Sequence, residues 1–327
     1  MAEMTLIQAI HDAMDEEMAR DPRVFITGED VGPRGGVFRA TQGLFDRHGR
    51  YRVIDSPLSE SSIVAVGIGA ALAGLRPICE IQFADFIHPA FNQIVQEAAR
   101  FCYRSGGEWP VGMVIRAPYG GGVGGGLYHS QSVEALFAHV PGLKVVIPGT
   151  PYDAKGLLKS AVRDGNPVLF LETKKGYRLI KGEVPEGEYT VPLGQAQVTR
   201  AGSDLTVYAY GIMHFYTLQA AEQAAQEGID CEVVDIRTLA PLDRQTVLDS
   251  VKKTGKALIV HEDNLFLGYG AEIAAIIAGE AFEYLDAPVM RYGGPDIPAV
   301  PFSHTMQDFF MPSPAKIADA IRKLAAY

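Results

Sequence analysis

Short runs of β-branched and apolar residues alternate with amphipathic stretches along most of this 327-residue chain, and that alternation constrains the fold more than any other feature. The runs fall at 24–27, 77–83, 111–116, 145–148 and 168–171, with helix-like stretches at 5–20, 61–74, 89–103 and 152–163 between them. In 5–20, Leu6, Ile10, Ala13, Met14 and Met18 recur at helical spacing, and Thr5 stands where an N-cap belongs. Runs that are apolar on both faces and separated by helices predict a parallel sheet covered on two sides, an α/β fold.

The alternation stops near Lys174. The following stretch, KKGYRLIKGEVPEGEYTVPLGQ, is rich in glycine, proline and charge and reads as a connector. Alternation resumes with expected strands at 205–210, 231–236, 257–260 and 289–291 and expected helices at 215–226, 243–253, 271–284 and 314–325. The expected division is a first α/β domain at 1–185, a linker at 186–204 and a smaller α/β domain at 205–327, with no internal repeat. The length suits two domains of about 150 residues each.

Composition removes several classes of function. The net charge of −10 leaves no global basic footprint for nucleic acid or for an anionic membrane surface. Cys79, Cys102 and Cys231 are far apart and lack metal-ligand spacing, which predicts a reducing compartment and neither a disulfide framework nor a structural zinc. No basic region followed by an apolar core marks a signal peptide, and the apolar stretch at 63–75 is too short to span a bilayer. The expected location is the cytoplasm, or the mitochondrial matrix for a processed form.

Four segments could carry chemistry. DSPLSES (55–61) follows an expected strand at 51–54 and enters a helix, where open α/β sheets place ligands. Its plainer reading is a Ser59 cap with Glu60 on the helix dipole. In EIQFADFIH (80–88), Gln82 lies between apolar strand residues and Phe86 just beyond them. A ligand could satisfy the amide, and so could a structural hydrogen bond. In PYGGGVGGGLYHSQS (118–132), every residue of 120–126 but Val123 is glycine. The run matches neither the dinucleotide fingerprint nor a Walker loop, and it reads as a flexible loop presenting His129, a group able to move protons near neutrality. HEDNLFLGYG (261–270) ends a strand with His261, Glu262 and Asp263, too short a cluster to define a metal site, and it reads better as an interface or loop cap.

Together with GEDVG (28–32), GGVFRAT (35–41), YRSGG (103–107), RAPYGGG (116–122), PGLKVVIP (141–148), TPYDAKGLL (150–158), YRLIKGEVP (177–185) and VDIRTLAPLD (234–243), these segments occur in an order that resembles one family from end to end. It is the beta subunit of the thiamine-diphosphate-dependent decarboxylating component of 2-oxo acid dehydrogenase complexes. EIQFADF followed by LYHSQSVEALFAH resembles the branched-chain type. The resemblance implies an N-terminal pyrimidine-binding α/β domain, a C-terminal transketolase-like α/β domain and an α2β2 heterotetramer. Beta would hold the aminopyrimidine of thiamine diphosphate, and alpha the diphosphate and Mg²⁺, whose GDG…N motif this chain lacks.

The resemblance also assigns roles. Glu60 matches the carboxyl that bonds pyrimidine N1′ and selects the imino tautomer, sharing a proton in a dry site. Leu58, Gln82 and Phe86 match the lining of that pocket, with Phe86 where many relatives carry Tyr. His129 matches the active-site histidine that donates a proton during acyl transfer to the lipoyl disulfide. A structural potassium ion would take oxygens from Val111, Met113, Val114, Ala161, Asp164 and Asn166. The implied partners are the alpha subunit, the lipoyl and peripheral subunit-binding domains of the transacylase core, and a 2-oxo acid. The acidic chain would suit a basic docking module. Pyruvate or acetoin counterparts share this chemistry, while a non-catalytic docking scaffold is a reading from another class. A nicotinamide oxidoreductase would rest on glycines alone.

Overall fold

The computed structural model describes residues 1–327. It divides into two compact units, Met1–Tyr119 with Leu136–Leu193, and Gly120–Ala135 with Gly194–Tyr327. The glycine run thus belongs to the second unit, although it lies within the expected 1–185 span.

The first unit opens with β1 (Ala2–Thr5) and α1 (Leu6–Arg20). Thr5 caps α1 as its position predicts. Its hydroxyl accepts from Gln8 N at 3.4 Å, and the Gln8 side chain accepts from Thr5 N at 2.8 Å, a reciprocal capping box. Next come β2 (Val24–Gly28), α2 (Leu44–His48), β3 (Val53–Asp55), α3 (Glu60–Leu72) and β4 (Arg76–Glu80). They are followed by α4 (Phe101–Arg104), β5 (Val114–Tyr119), α5 (Glu134–Ala138, whose first two residues belong to the second unit), β6 (Lys144–Val146), α6 (Pro151–Arg163), β7 (Val168–Thr173), α7 (Gly176–Leu179) and β8 (Lys181–Val184). The parallel strands run in the order β6-β7-β5-β4-β2-β3. From β2 the chain steps outward to β3 and then crosses to the other side of β2 to form β4. The gap between the C-terminal ends of β2 and β4 is therefore a topological switch point, where such sheets bind ligands. Leu6, Ile10 and Met14 of α1 share a buried core with Ala154, Leu157, Leu158 and Ala161 of α6.

Two expectations are corrected here. Residues 89–103 are not one helix but a 3₁₀ turn at His88–Ala90, a π-helical segment at Gln93–Ala98 and then α4. Ala99 N bonds Ile94 O at 3.1 Å, the wider register of a π turn, and the Ala99 carbonyl lies against Gly142, which admits it because it has no Cβ. The stretch after Lys174 is not a bare connector. It forms α7 and then β8, which pairs antiparallel with β1 from Ala2↔Val184 to Thr5↔Lys181. Its Glu188 takes Lys159 at 2.6 Å and Arg163 at 2.6 Å, so its charges clasp α6.

The second unit carries β9 (Gln197–Arg200), β10 (Leu205–Ala209), α8 (Ile212–Ala225), β11 (Cys231–Asp235), β12 (Thr238–Ala240) and α9 (Arg244–Thr254). It continues through β13 (Ala257–Asn264), α10 (Gly270–Glu280), β14 (Met290–Gly294), α11 (His304–Phe310) and α12 (Pro314–Ala325). Its sheet order is β14-β13-β10-β11-β9, parallel except for β9. α10 stops at Glu280 rather than 284, and a 3₁₀ turn, Phe282–Tyr284, follows. α11 has no counterpart among the expected helices because Met306 and Phe309 face outward and leave no buried period to read. No helix is long and apolar enough to cross a membrane.

Candidate functional site

In the first unit the expected pocket residues cluster at the switch point. Glu60 is the first residue of α3. Ser59, in the N-cap position, makes no capping bond, and its hydroxyl instead donates to Ser62 Oγ at 2.9 Å. The plain reading of Ser59 as a cap is thus not what the structure shows. Ser61 Oγ donates to Pro89 O at 2.6 Å and ties the first turn of α3 to the segment just beyond Phe86. Gln82, past the end of β4, donates from Nε2 to Glu29 O, past the end of β2, at 3.4 Å, so its amide bridges the switch point. Burial raises the Glu29 carboxyl above its usual range, and the negative charges of Asp30 and Glu60 raise it further. Glu29 lies outside the expected site residues, but a carboxylate at the C-terminal end of a strand is the same signal as the one at 55–61. Leu58 is 73% exposed, an apolar side chain with little protein over it. Phe86 is half-buried and meets Phe83 edge to face at 5.5 Å; Phe83 meets Phe38 at 5.2 Å, and Phe38 meets Tyr177 at 5.3 Å.

Beneath this pocket the strand ends hold a buried ion cluster. Arg116 donates to Glu80 at 2.6 Å and to both oxygens of Glu172 at 2.6 and 2.8 Å, and the Tyr177 hydroxyl also reaches Glu172. All four side chains are essentially inaccessible. Burial pushes the Glu80 carboxyl up while the Arg116 charge pulls it down. For Arg116, burial opposes its charge, but Glu172 and Glu80 outweigh burial and hold it cationic. Such a cluster contributes little net stability as a unit, but breaking it strands a charge in a dry interior.

His129 stands in the second unit, so its chemistry is built separately. It ends a 3₁₀ turn, Gly126–Tyr128, and is half-buried. The loop closes on itself through Gly120 N to Gln131 O at 3.0 Å and Gln131 Nε2 to Leu127 O at 3.0 Å. Gly124 N donates to Gln307 Oε1 of α11 at 2.9 Å. The loop is therefore packed rather than free. A Cβ on Gly125 would lie 2.7 Å from His129 Cβ and 2.7 Å from its carbonyl oxygen, and one on Gly120 would strike the Glu262 carboxylate. The glycines permit close approach, which matters more here than flexibility.

Acids underlie this loop. Glu134 is fully buried and takes the Tyr210 hydroxyl at 3.0 Å. Burial drives its carboxyl well above the ordinary range, with Asp263 and Glu262 adding repulsion. Burial pushes Asp263 up to about 6. His261 is buried with burial lowering it to about 4, beside Gly268, Gly270 and Gly293, which makes it a core side chain.

The residues expected to hold potassium lie in the first unit, where 111–114 leads into β5 and 161–166 ends α6. Met113 O accepts from Val168 N at 3.0 Å, Ala161 O accepts from Asp164 N at 3.3 Å, and Asp164 O accepts from the Arg76 guanidinium. The Asp164 carboxylate also takes Lys144 and Asn166 N. Positive charge at Asp164 is therefore already supplied by two side chains.

Comparison with known proteins decides the family. The chain matches the transketolase pyrimidine-binding domain over residues 2–180 and the transketolase C-terminal domain over 194–317. It is 56% identical over 327 residues to the 2-oxoisovalerate dehydrogenase subunit beta of Bacillus subtilis (strain 168), covering 100% of both chains. The chain belongs to the beta subunits of the 2-oxo acid dehydrogenases. A plant member of that family, 2-oxoisovalerate dehydrogenase subunit beta 2, mitochondrial, of Arabidopsis thaliana, is 51% identical over 99% of this chain and 90% of its own length. The pyruvate dehydrogenase E1 component subunit beta of Bacillus subtilis (strain 168) is 47% identical over 100% of both chains. A solved split-gene transketolase, an inactive beta4 tetramer, superposes with a TM-score of 0.80 at 23% identity over 99% of this chain and 98% of its own, which speaks for the shared fold.

Proposed function

We propose that the protein is the beta subunit of a branched-chain 2-oxo acid dehydrogenase. With an alpha subunit, in an α2β2 heterotetramer, it would decarboxylate 2-oxo acids and acylate the lipoyl group of a transacylase core. The observation that carries this reading is the grouping of Glu60, Glu29 and Gln82 at the switch point, with exposed Leu58 and half-buried Phe86 in the same unit. Bare apolar side chains near a carboxyl pair fit a flat heteroaromatic ring with a basic ring nitrogen, which the aminopyrimidine of thiamine diphosphate is. The cofactor supplies the electron sink for decarboxylation. Glu60 holds a proton at the ring nitrogen, Leu58 and Phe86 exclude water from the ring faces, and Gln82 keeps the two strand ends in register. His129 gives a proton to the lipoyl sulfur that leaves as the acyl group arrives.

The diphosphate and Mg²⁺ fall to the alpha subunit in this reading. The lipoyl domain and the peripheral subunit-binding domain of the core are its further partners. A potassium ion on the remaining carbonyl lone pairs of 111–114 and 161–166 belongs to the same reading. Stability higher in KCl than in NaCl at equal ionic strength would support it, and equal stability would remove it.

The test is reconstitution with alpha, thiamine diphosphate and Mg²⁺, comparing 3-methyl-2-oxobutanoate with pyruvate. A preference for the branched substrate is expected. A strong preference for pyruvate would move the protein to the role its 47% identical relative is named for. In the same assembly Glu60→Gln keeps shape and removes the acid, and decarboxylation should fall by about 10²-fold or more. Full activity in that variant would leave a docking scaffold as the better account.

A further inference from the structure

Buried opposite charges from distant parts of the chain meet beside Phe86. β7 ends at Thr173, and the next side chain, Lys174, is 0% exposed. Its Nζ lies 3.7 Å from Oδ2 of Asp85, a carboxylate that is itself 3% exposed. The same ammonium sits 5.4 Å from the centroid of the Phe83 ring and donates to Pro118 O at 3.5 Å, while Lys174 N bonds Tyr119 O at 3.1 Å. Asp85 is the middle residue of the 3₁₀ turn Ala84–Phe86, and Phe83 is the ring that Phe86 packs against. One cation therefore holds the residue before Phe86 by charge and the ring beside Phe86 by its π face, and it anchors both to the ends of β5 and β7.

A turn this short has little internal hydrogen bonding to fix its position. Phe86 N reaches Phe83 O at 2.9 Å and Ile87 N reaches Ala84 O at 3.1 Å, bonds that shape the turn but do not locate it on the sheet. The buried pair ties it to the ends of β5 and β7. We infer that Lys174 and Asp85 are positioning residues that set the Phe86 ring at the cofactor pocket, an inference that rests on the thiamine reading above. Neither needs to touch the cofactor. Their effect passes through the Ala84–Phe86 turn and the Phe83 ring.

The experiment uses the alpha–beta assembly and measures cofactor affinity and kcat separately for Lys174→Met, Lys174→Arg, Asp85→Asn and the Lys174→Met/Asp85→Asn double variant. Lys174→Met should weaken thiamine diphosphate binding about tenfold or more, with kcat at saturating cofactor within about threefold of the parent, because a stranded buried carboxylate displaces the turn. Lys174→Arg should restore most of the affinity. The double variant should bind better than the product of the two single losses predicts, since removing both charges strands neither. Should Lys174→Met fail to assemble, the isosteric Asp85→Asn and the charge-conserving Lys174→Arg still decide the matter. Parent-like affinity in Asp85→Asn and Lys174→Met, or strictly multiplicative losses in the double variant, would overturn the inference. Glu60→Gln is run alongside. If it abolishes decarboxylation while the Lys174 and Asp85 variants bind cofactor normally, only the positioning role fails. If Glu60→Gln is fully active, the thiamine reading itself fails.

Discussion

Two acid clusters, one in each unit, are buried in opposite ways. In the first, Glu80 and Glu172 enclose Arg116 and Asp85 faces Lys174, so these three buried carboxylates are each met by a cation. In the second, Glu134, Glu262 and Asp263 crowd one another, and their mutual repulsion adds to burial in driving Glu134 upward. Ion pairing fixes geometry without depending on pH across the neutral range. Acids raised by burial and by one another favour the protonated form, so the stability of their arrangement falls as pH rises. The candidate pyrimidine pocket stands on the first kind of foundation and the His129 loop on the second.

The largest expected effect breaks the first kind. Arg116→Met leaves Glu80 and Glu172 buried without their guanidinium and should cost about 3–5 kcal/mol in denaturant unfolding. A loss below about 1 kcal/mol would mean that the cluster is not the dry, ionised site described here. Next in size is the pH dependence of the second kind. A carboxyl whose folded value is raised adds stability below its unfolded value and loses it as pH rises through the folded value. For Asp263 that window runs from about 4 to about 6, for a loss on the order of 2–3 kcal/mol. Asp263→Asn should flatten the unfolding free energy across this window, and an unchanged slope would place the titration elsewhere.

A smaller effect concerns the packed loop. Gly125→Ala pushes a methyl against His129 and should slow lipoyl acylation about tenfold while decarboxylation, read with an artificial electron acceptor, stays near the parent rate. Parallel losses in both steps would show a general defect instead. The smallest effect sharpens the contrast between units. Because burial and the acids beside it push the Glu134 carboxyl well above its ordinary range, a neutral amide suits the site, and Glu134→Gln should change stability by less than about 1 kcal/mol at neutral pH.

Much of the scaffold was legible because its signals are local. Thr5 and Gln8 stand three residues apart and announce the start of α1, and the apolar runs at 24–27 and 168–171 lie within β2 and β7. What the local signals do not carry depends on residues far apart in the chain. β8 exists because β1, at the far end of the first unit's sequence, offers it a partner from Ala2↔Val184 to Thr5↔Lys181, and α11 turns Met306 and Phe309 outward. The candidate site divides in the same manner. Glu60 and His129 stand out in motifs, whereas Glu29 gains its interest from Glu60, Lys174 from Asp85, and Glu134 from Tyr210 and the end of β13. The glycine run reads as freedom in one dimension. Its reasons, the side chains that occupy the space a Cβ would need and the left-handed φ of Gly120, Gly122, Gly124 and Gly126, are visible only in three.

The most direct measurement is exchange of the thiamine C2 proton for deuterium in the assembled enzyme, followed by NMR after acid quench and without any substrate. This rate reports activation of the cofactor by its own imino group and nothing later in the reaction. Glu60→Gln should exchange at least about 10²-fold more slowly than the parent with cofactor still bound. Equal exchange in the two proteins would contradict the assignment of Glu60 as the residue that sets the pyrimidine tautomer.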